Sequence, residues 1–381
     1  NFAAAAEVVG GLTRNYKKPE WNIEGATPET VIKDDFGSLV HFKTAESEGK
    51  PKMLLVAPMS GHFATLLRGT VKGLLPNHDV YVTDWANARD IPMSKGSFDL
   101  NSFIDTTMKY IGHFKGDVDV MAVCQPGPAV TAAVALIHQK NDPTLLPPRS
   151  LVIMASPIDV RAKSNAVIEY ANKLSIEDFE RMVIHRVPLN YDGAGRRVYP
   201  GWMQLTSFMG MNPDRHIDAH VQEYKDILAG NTAGRDAHRK FYDEYFAACD
   251  LPAEFYLQTV NEVFKEASIA KGEFYHHGQR VDLGAITKTA LMVVEGGKDD
   301  ISGGQSAPLL DLTTGIPASR KTYHLQPDVG HYGVFSGSKW ENIIAPKVAA
   351  FVHSHMPAPK AAVTRNRRTA PAPAPGEQAA A

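Results

Sequence analysis

Six short runs of apolar, largely β-branched residues recur along the chain: MLLVAP (Met53 to Pro58), DVYVTD (Asp79 to Asp84), DVDVMAV (Asp117 to Val123), SLVIMAS (Ser150 to Ser156), ALMVVEG (Ala290 to Gly296) and TYHLQ (Thr322 to Gln326). Runs that are hydrophobic on both faces belong in a parallel sheet covered on both sides. Stretches of helical period such as AVTAAVALIHQ lie between the earlier runs, so the alternation is βαβ with right-handed crossovers. Ahead of them, TVIKDDFGSLVHFKTA alternates around an Asp-Asp-Phe-Gly turn and predicts a β-hairpin that opens the sheet. The expected class is α/β with a mostly parallel central sheet.

One interval breaks the alternation. From about Arg161 to Leu283 no convincing buried strand occurs, and the composition turns to aromatics and helix formers, as in HRKFYDEYFAACDLPAEFYLQTVNEVFKEA. A helical insertion there would sit over the strand ends as a cap. The expected organisation is a core of residues 16–160 and 284–356, a helical cap over 161–283 and a disordered Pro/Ala-rich tail over 357–381. WENIIAPKVAAFVHSHM reads as the last amphipathic helix, and the tail after it has too few large apolar groups to build a core. No internal repeat and no phosphate-cradling glycine loop is visible.

Composition narrows the function. A chain of 381 residues needs no disulfide or metal to hold a core together. With 40 Lys and Arg against 42 Asp and Glu, nothing suggests a nucleic-acid partner. The apolar runs are far shorter than the roughly 18 residues of a membrane span, so no transmembrane segment is expected. Two cysteines, Cys124 and Cys249, exclude a disulfide framework and suit a reducing compartment. A cytoplasmic location is the expectation. NFAAAAEVVG lacks the charged start of a secretion signal, but the chain begins without methionine, which leaves a removed leader and export open.

In open α/β sheets ligands bind beyond the carboxyl ends of the strands. Cys124 follows Val123 there and precedes the helix that starts near Gly127, the strand, nucleophile, helix order of a nucleophile elbow. Its surroundings, Ala122, Val123, Gln125 and Pro126, depart from the common Gly-x-Ser-x-Gly. Ala122 is small enough for close strand–helix approach, and Pro126 suits a first helical turn. An isolated cysteine is commonly a small buried hydrophobe; two further sites argue against that reading here. VVEGGKDDISGG places Asp299 and Asp300 after the next-to-last strand, and PDVGHYGVF places His331 after the last. Nucleophile, acid, histidine is the chain order of α/β-hydrolases. A thiol needs a base to react as thiolate at neutral pH, which His331 would supply, and Asp299 would hold the ring. Asp299, in Gly-x-x-Asp spacing from Gly296, is preferred, with Asp300 as the alternative. The oxyanion donors expected are the Gln125 N–H and one from PMSGH, Met59 or Ser60. Trp85, at the end of DVYVTDW, is a candidate for lining the substrate pocket, and packing is the rival role. Cys249 sits at helical spacing among apolar residues and is read as core. His276 and His277 lack the carboxylate or cysteine company of a zinc site, so no metal and no cofactor are expected.

APMSGHFATLLRGTV, VYVTDWANARDIP, VCQPGPAV, RRVYPGWMQ, MNPDRH, FYDEYF, VEGGKDDISG and GHYGVFSG together resemble the intracellular poly(3-hydroxybutyrate) depolymerases, from about Tyr16 to Met356. These are α/β-hydrolases with a cysteine where most relatives use serine. The resemblance implies that Cys124 is the nucleophile, Asp299 the acid and His331 the base. Gly127 departs from it, since family members often carry a bulkier residue there. The implied reaction is hydrolysis of poly(3-hydroxybutyrate) at the surface of cytoplasmic granules, by way of a 3-hydroxybutyryl thioester. Because thioesters react readily with thiols, coenzyme A is a further candidate acyl acceptor. The rival readings are a polyhydroxyalkanoate synthase-like acyltransferase, against which Ala122 and Pro126 speak, an esterase for small esters, and a catalytically silent granule-binding protein.

Overall fold

The computed structural model describes residues 2–12, 17–211 and 213–357. Its centre is an eight-stranded sheet of β1 (Thr27–Lys33), β2 (Gly37–Lys43), β3 (Lys52–Val56), β4 (Asp79–Trp85), β5 (Asp119–Val123), β6 (Ser150–Met154), β12 (Ala290–Gly296) and β13 (Lys321–Gln326). Neighbours run β1-β2-β4-β3-β5-β6-β12-β13. The β1–β2 and β2–β4 pairs are antiparallel and the rest are parallel. The six apolar runs are the six parallel strands, and β12 matches ALMVVEG to the residue. The hairpin closes around Asp34, whose N–H donates to the Gly37 carbonyl at 2.8 Å.

α1 (Phe2–Leu12) packs on the helix Pro213–Ala229 rather than on the sheet. α2 (Arg68–Leu74), α3 (Leu100–His113) and α4 (Gly127–Lys140) bury their apolar sides in the core against the sheet. Asp99 caps α3 by accepting the Ser102 N–H at 2.8 Å, satisfying an orphan donor of its first turn. α4 is buried continuously from Gly127 to Ile137, as its nearly all-apolar sequence requires. The last helix, α11 (Ala345–Ser354), carries Pro346 in its first turn, where no N–H is needed.

Residues 161–283 hold α5 (Ala166–Lys173), α6 (Ile176–Val183), α7 (Gly201–Met211), α8 (Pro213–Ala229), α9 (Thr232–Tyr245) and α10 (Ala253–Thr259). Strands occur here too, contrary to the helical expectation. β7 (His185–Arg186), β8 (Arg197–Tyr199) and β9 (Leu251–Pro252) form a three-stranded antiparallel sheet, and β10 (Tyr275–His276) pairs with β11 (Gln279–Arg280). Strands of two or three residues are too short to leave a periodic pattern. The disordered tail expected over 357–381 lies, from residue 358 on, outside the described residues. No helix among the described residues is long and apolar enough to cross a membrane.

Candidate active site

The chain turns sharply where β5 meets α4. Cys124 has φ 67°, a left-handed conformation that a side chain rarely adopts. It is fixed there by its own N–H, given to the Met154 carbonyl at 2.8 Å, and by its carbonyl, which accepts from Gly127 N–H at 3.2 Å. Such strain persists only where the surroundings impose it, and it lifts the thiol clear of the strand at the head of the helix. A Cβ on Gly127 would lie 2.4 Å from Ser156 Cβ, so the small residue that close strand–helix approach demands stands at 127.

The loops after β12 and β13 bring the other two groups in. They approach so closely that a Cβ on Gly297 would stand 2.6 Å from the Pro327 carbonyl oxygen. Lys298 N–H donates to the Val329 carbonyl at 2.9 Å, tying the loops together. His331 thereby comes between sulfur and carboxylate: Nε2 is 3.1 Å from Cys124 Sγ and Nδ1 is 2.9 Å from Asp299 Oδ2. Asp299 is buried, whereas Asp300 is exposed. The carboxylate is held on its other oxygen by the N–H groups of Ile301 at 2.8 Å and Ser302 at 2.9 Å. Ser302 also donates its hydroxyl to Oδ2 at 3.1 Å and lies 3.4 Å from His331 Nδ1.

Electrostatics follow from these contacts. Burial disfavours charge on His331, but the Cys124 sulfur and the Asp299 carboxylate outweigh it, and its pKa is pushed up from 6.5 to about 10. Burial also disfavours the Asp299 carboxylate; His331 and the N–H groups of Ser302 and Ile301 overcome that and hold its pKa below the usual range. His331 Nε2 stands within reach of the proton on sulfur, and a cysteine reacts as its thiolate. The arrangement can therefore form a nucleophile, accept a proton and return it.

Met59 lies buried in the loop after β3, and its N–H donates to Gln125 Oε1 at 3.1 Å, which brings together the two residues expected to supply the oxyanion donors. Ser60, next to it, is half-buried. Gly61 has φ 97°, and the buried Gln204 side chain occupies the place of its Cβ, 2.5 Å away. Its carbonyl accepts the Cys249 N–H at 2.8 Å. Trp85 is not at the site surface: it is 3 % exposed, gives its indole N–H to the Ala57 carbonyl at 2.8 Å and packs on Phe103 at 4.6 Å. Substrate lining by Trp85 is thus replaced by a packing role beneath the β3 end. Cys249 is buried with its thiol pushed up to about 12 by burial. His276 and His277 do have carboxylate company, contrary to the sequence reading, because α3 brings Asp105 to 3.0 and 2.8 Å from their Nε2 atoms. The parts that sequence reasoning missed are the Ser302 hydroxyl and the Gln125 side chain. The SGG turn after Asp299 could have pointed to Ser302; nothing linear ties Gln125 to Met59.

A family model described as "PHB de-polymerase C-terminus" matches residues 155–356. No curated protein sequence matches the chain. Among solved structures, the DcsB complex with its substrate analogue aligns at 12 % identity over 87 % of this chain and 100 % of its own, with TM-score 0.50. A membrane phospholipase A, described as a bacterial virulence factor, aligns at 13 % identity over 93 % of each chain, TM-score 0.48. Carboxyl esterase 2 of Tuber melanosporum aligns at 10 % identity over 93 % of this chain and 98 % of its own, TM-score 0.46.

Proposed function

The chain belongs to the PHB de-polymerase family, and from that premise we propose that it cleaves the ester bonds of poly(3-hydroxybutyrate) through a covalent thioester on Cys124. The observation that carries the proposal is the single imidazole, His331, within 3.1 Å of the Cys124 sulfur and 2.9 Å of the Asp299 carboxylate. The α/β-hydrolase fold supplies the frame; the substrate is the family's.

The Cys124 thiolate attacks the carbonyl carbon of a chain ester. The carbonyl oxygen, now negative, takes hydrogen bonds from the Gln125 and Met59 N–H groups. Met59 N–H is given to Gln125 Oε1, and the substrate oxygen takes over that donor. As the tetrahedral centre collapses, the His331 Nε2 proton goes to the departing alkoxide, which leaves as the hydroxyl end of one polymer fragment. The other fragment remains as a 3-hydroxybutyryl thioester. His331 then takes a proton from water, and the hydroxide displaces sulfur, which leaves as thiolate beside the imidazolium and so restores the starting state. Asp299 keeps the ring oriented and balances its charge throughout. Residues 161–283 act as a cap over the strand ends, and the outward Met182, Leu189 and Trp202 side chains suit contact with a hydrophobic polyester surface.

The test is loss of turbidity of amorphous poly(3-hydroxybutyrate) granules with the wild-type chain and with Cys124→Ala. Clearing by the wild type alone is expected. Equal clearing by both removes Cys124 from the mechanism; clearing by neither removes the substrate. Product analysis with coenzyme A added separates transfer from hydrolysis: free 3-hydroxybutyrate fragments mean water is the acceptor, and acyl-coenzyme A means the thiol is.

A further inference from the structure

We infer that the α8–α9 helix pair carries a binding site for one divalent transition-metal ion of the zinc class, built from His220, Glu223 and His238. Nothing in the proposed ester chemistry uses these residues. His220 and Glu223 stand three apart on α8, on one face of that helix, and His238 projects from α9. Their ligand atoms all lie within 4.8 Å of one another.

The spacing is that of a coordination sphere. Tetrahedral ligands at about 2.0–2.1 Å from zinc stand roughly 3.3–3.4 Å apart. Glu223 Oε2 is 3.3 Å from His238 Nδ1 and 3.9 Å from His220 Nδ1. Side-chain adjustments of up to about 1 Å, within the reach of rotamer shifts on these helices, would close the set. The donor types agree: two imidazoles and a carboxylate suit zinc, copper or nickel, whereas calcium and magnesium take oxygen.

A second observation points to a missing ligand. Both nitrogens of His220 and both of His238 are shielded from solvent; each Nδ1 faces the Glu223 carboxylate, and neither Nε2 makes a hydrogen bond. The side chains are only 16, 6 and 11 % exposed for His220, Glu223 and His238. Unpaired buried polar atoms are costly, and a metal ion would satisfy one nitrogen on each ring. The rings are braced from one side by Tyr242, whose centroid is 4.4 Å from His220 and 4.5 Å from His238. Arg239 Nε contacts the other carboxylate oxygen, Glu223 Oε1, at 3.2 Å, and also donates to Glu7. Held there, it orients the carboxylate so that Oε2 faces the rings, the part played by outer-shell partners of metal ligands. Three protein ligands leave a fourth position for water. Joining two antiparallel helices, the ion would act as a clip.

The experiment uses the full chain, stripped with chelator, in a Cys124→Ala background so that the nucleophile sulfur cannot bind metal. Co²⁺ is titrated in and the visible spectrum recorded; melting is followed with and without Zn²⁺. One Co²⁺ per chain with a tetrahedral nitrogen/oxygen band is expected, together with a rise in Tm on adding Zn²⁺. His220→Ala with His238→Ala should abolish the band and the rise, and Glu223→Gln, which keeps the side-chain shape, should weaken binding by ~100-fold. His276→Ala with His277→Ala should leave both signals unchanged. Absence of the band in the parent overturns the inference, as does a band that survives the His220/His238 change.

Discussion

Gly127→Ala tests the close approach on which the elbow depends. A Cβ at 127 would stand 2.4 Å from Ser156 Cβ and 2.5 Å from its Oγ, whereas carbon atoms rest comfortably about 3.5–4.0 Å apart. The first turn of α4 must retreat by roughly 1 Å to make room. Crowding of this kind costs ~1–3 kcal/mol, and the better helix propensity of alanine returns no more than ~1 kcal/mol. The net loss reaches about 2 kcal/mol, or roughly 1–3 °C in Tm for a chain of this size. Because Gly127 N–H donates to the Cys124 carbonyl, the retreat carries to the sulfur, and a misplacement of about 1 Å can cost ~10²-fold in rate. Thermal melting and granule turbidity measured on the same preparations give both numbers. Ser156→Gly in the same chain vacates the space and should restore most of the Tm and the rate. Unchanged melting and turnover in Gly127→Ala, or no recovery with Ser156→Gly, would refute the reasoning.

Alkylating agents should modify Cys124 well before Cys249, read by peptide mass mapping, because Cys249 is buried and its thiol is pushed up to about 12; equal labelling would contradict the burial. Ser302→Ala removes one of four donors to Asp299 and should lower kcat about 5- to 10-fold, at the ~1 kcal/mol scale of a single hydrogen bond, with KM unchanged; a rise in KM alone would show that Ser302 does not act through the carboxylate. Burial pushes His62 and His78 down to about 4 from 6.5. Between those pH values the unfolded chain binds the extra proton, so the contribution of these two rings is full above about pH 6.5 and is lost as pH drops toward 4, by as much as ~3 kcal/mol per ring. Denaturant midpoints at pH 7.5 and 5 check this, and His78→Gln should shrink the difference between them.

The parallel strands were legible because burial on both faces writes itself as continuous apolar runs, and the residues that follow those runs, Cys124, Asp299 and His331, are found where such strands deliver their loops. What stayed hidden depends on loops and on distant segments. Trp85 looked like a pocket residue because its place at a strand end is visible, while the direction of its ring, into Phe103 and under Ala57, is not. Asp105 reaches His277 across 172 residues of chain, so no local pattern could have supplied the carboxylate. His220, Glu223 and His238 share a face only once two helices fold against each other. Strands as brief as His185–Arg186 carry too few residues for any period.

The Gly61 turn couples two properties that would otherwise vary independently. Gln204 fills the space above it, and Cys249 ties down its carbonyl; both belong to the segment proposed to choose the polymer, while Met59, two residues away, is the proposed oxyanion donor and would act on the rate. Grafting another relative's 161–283 onto this sheet would therefore change turnover even for an unaltered substrate, unless the residues that meet Gly61 travel with the graft.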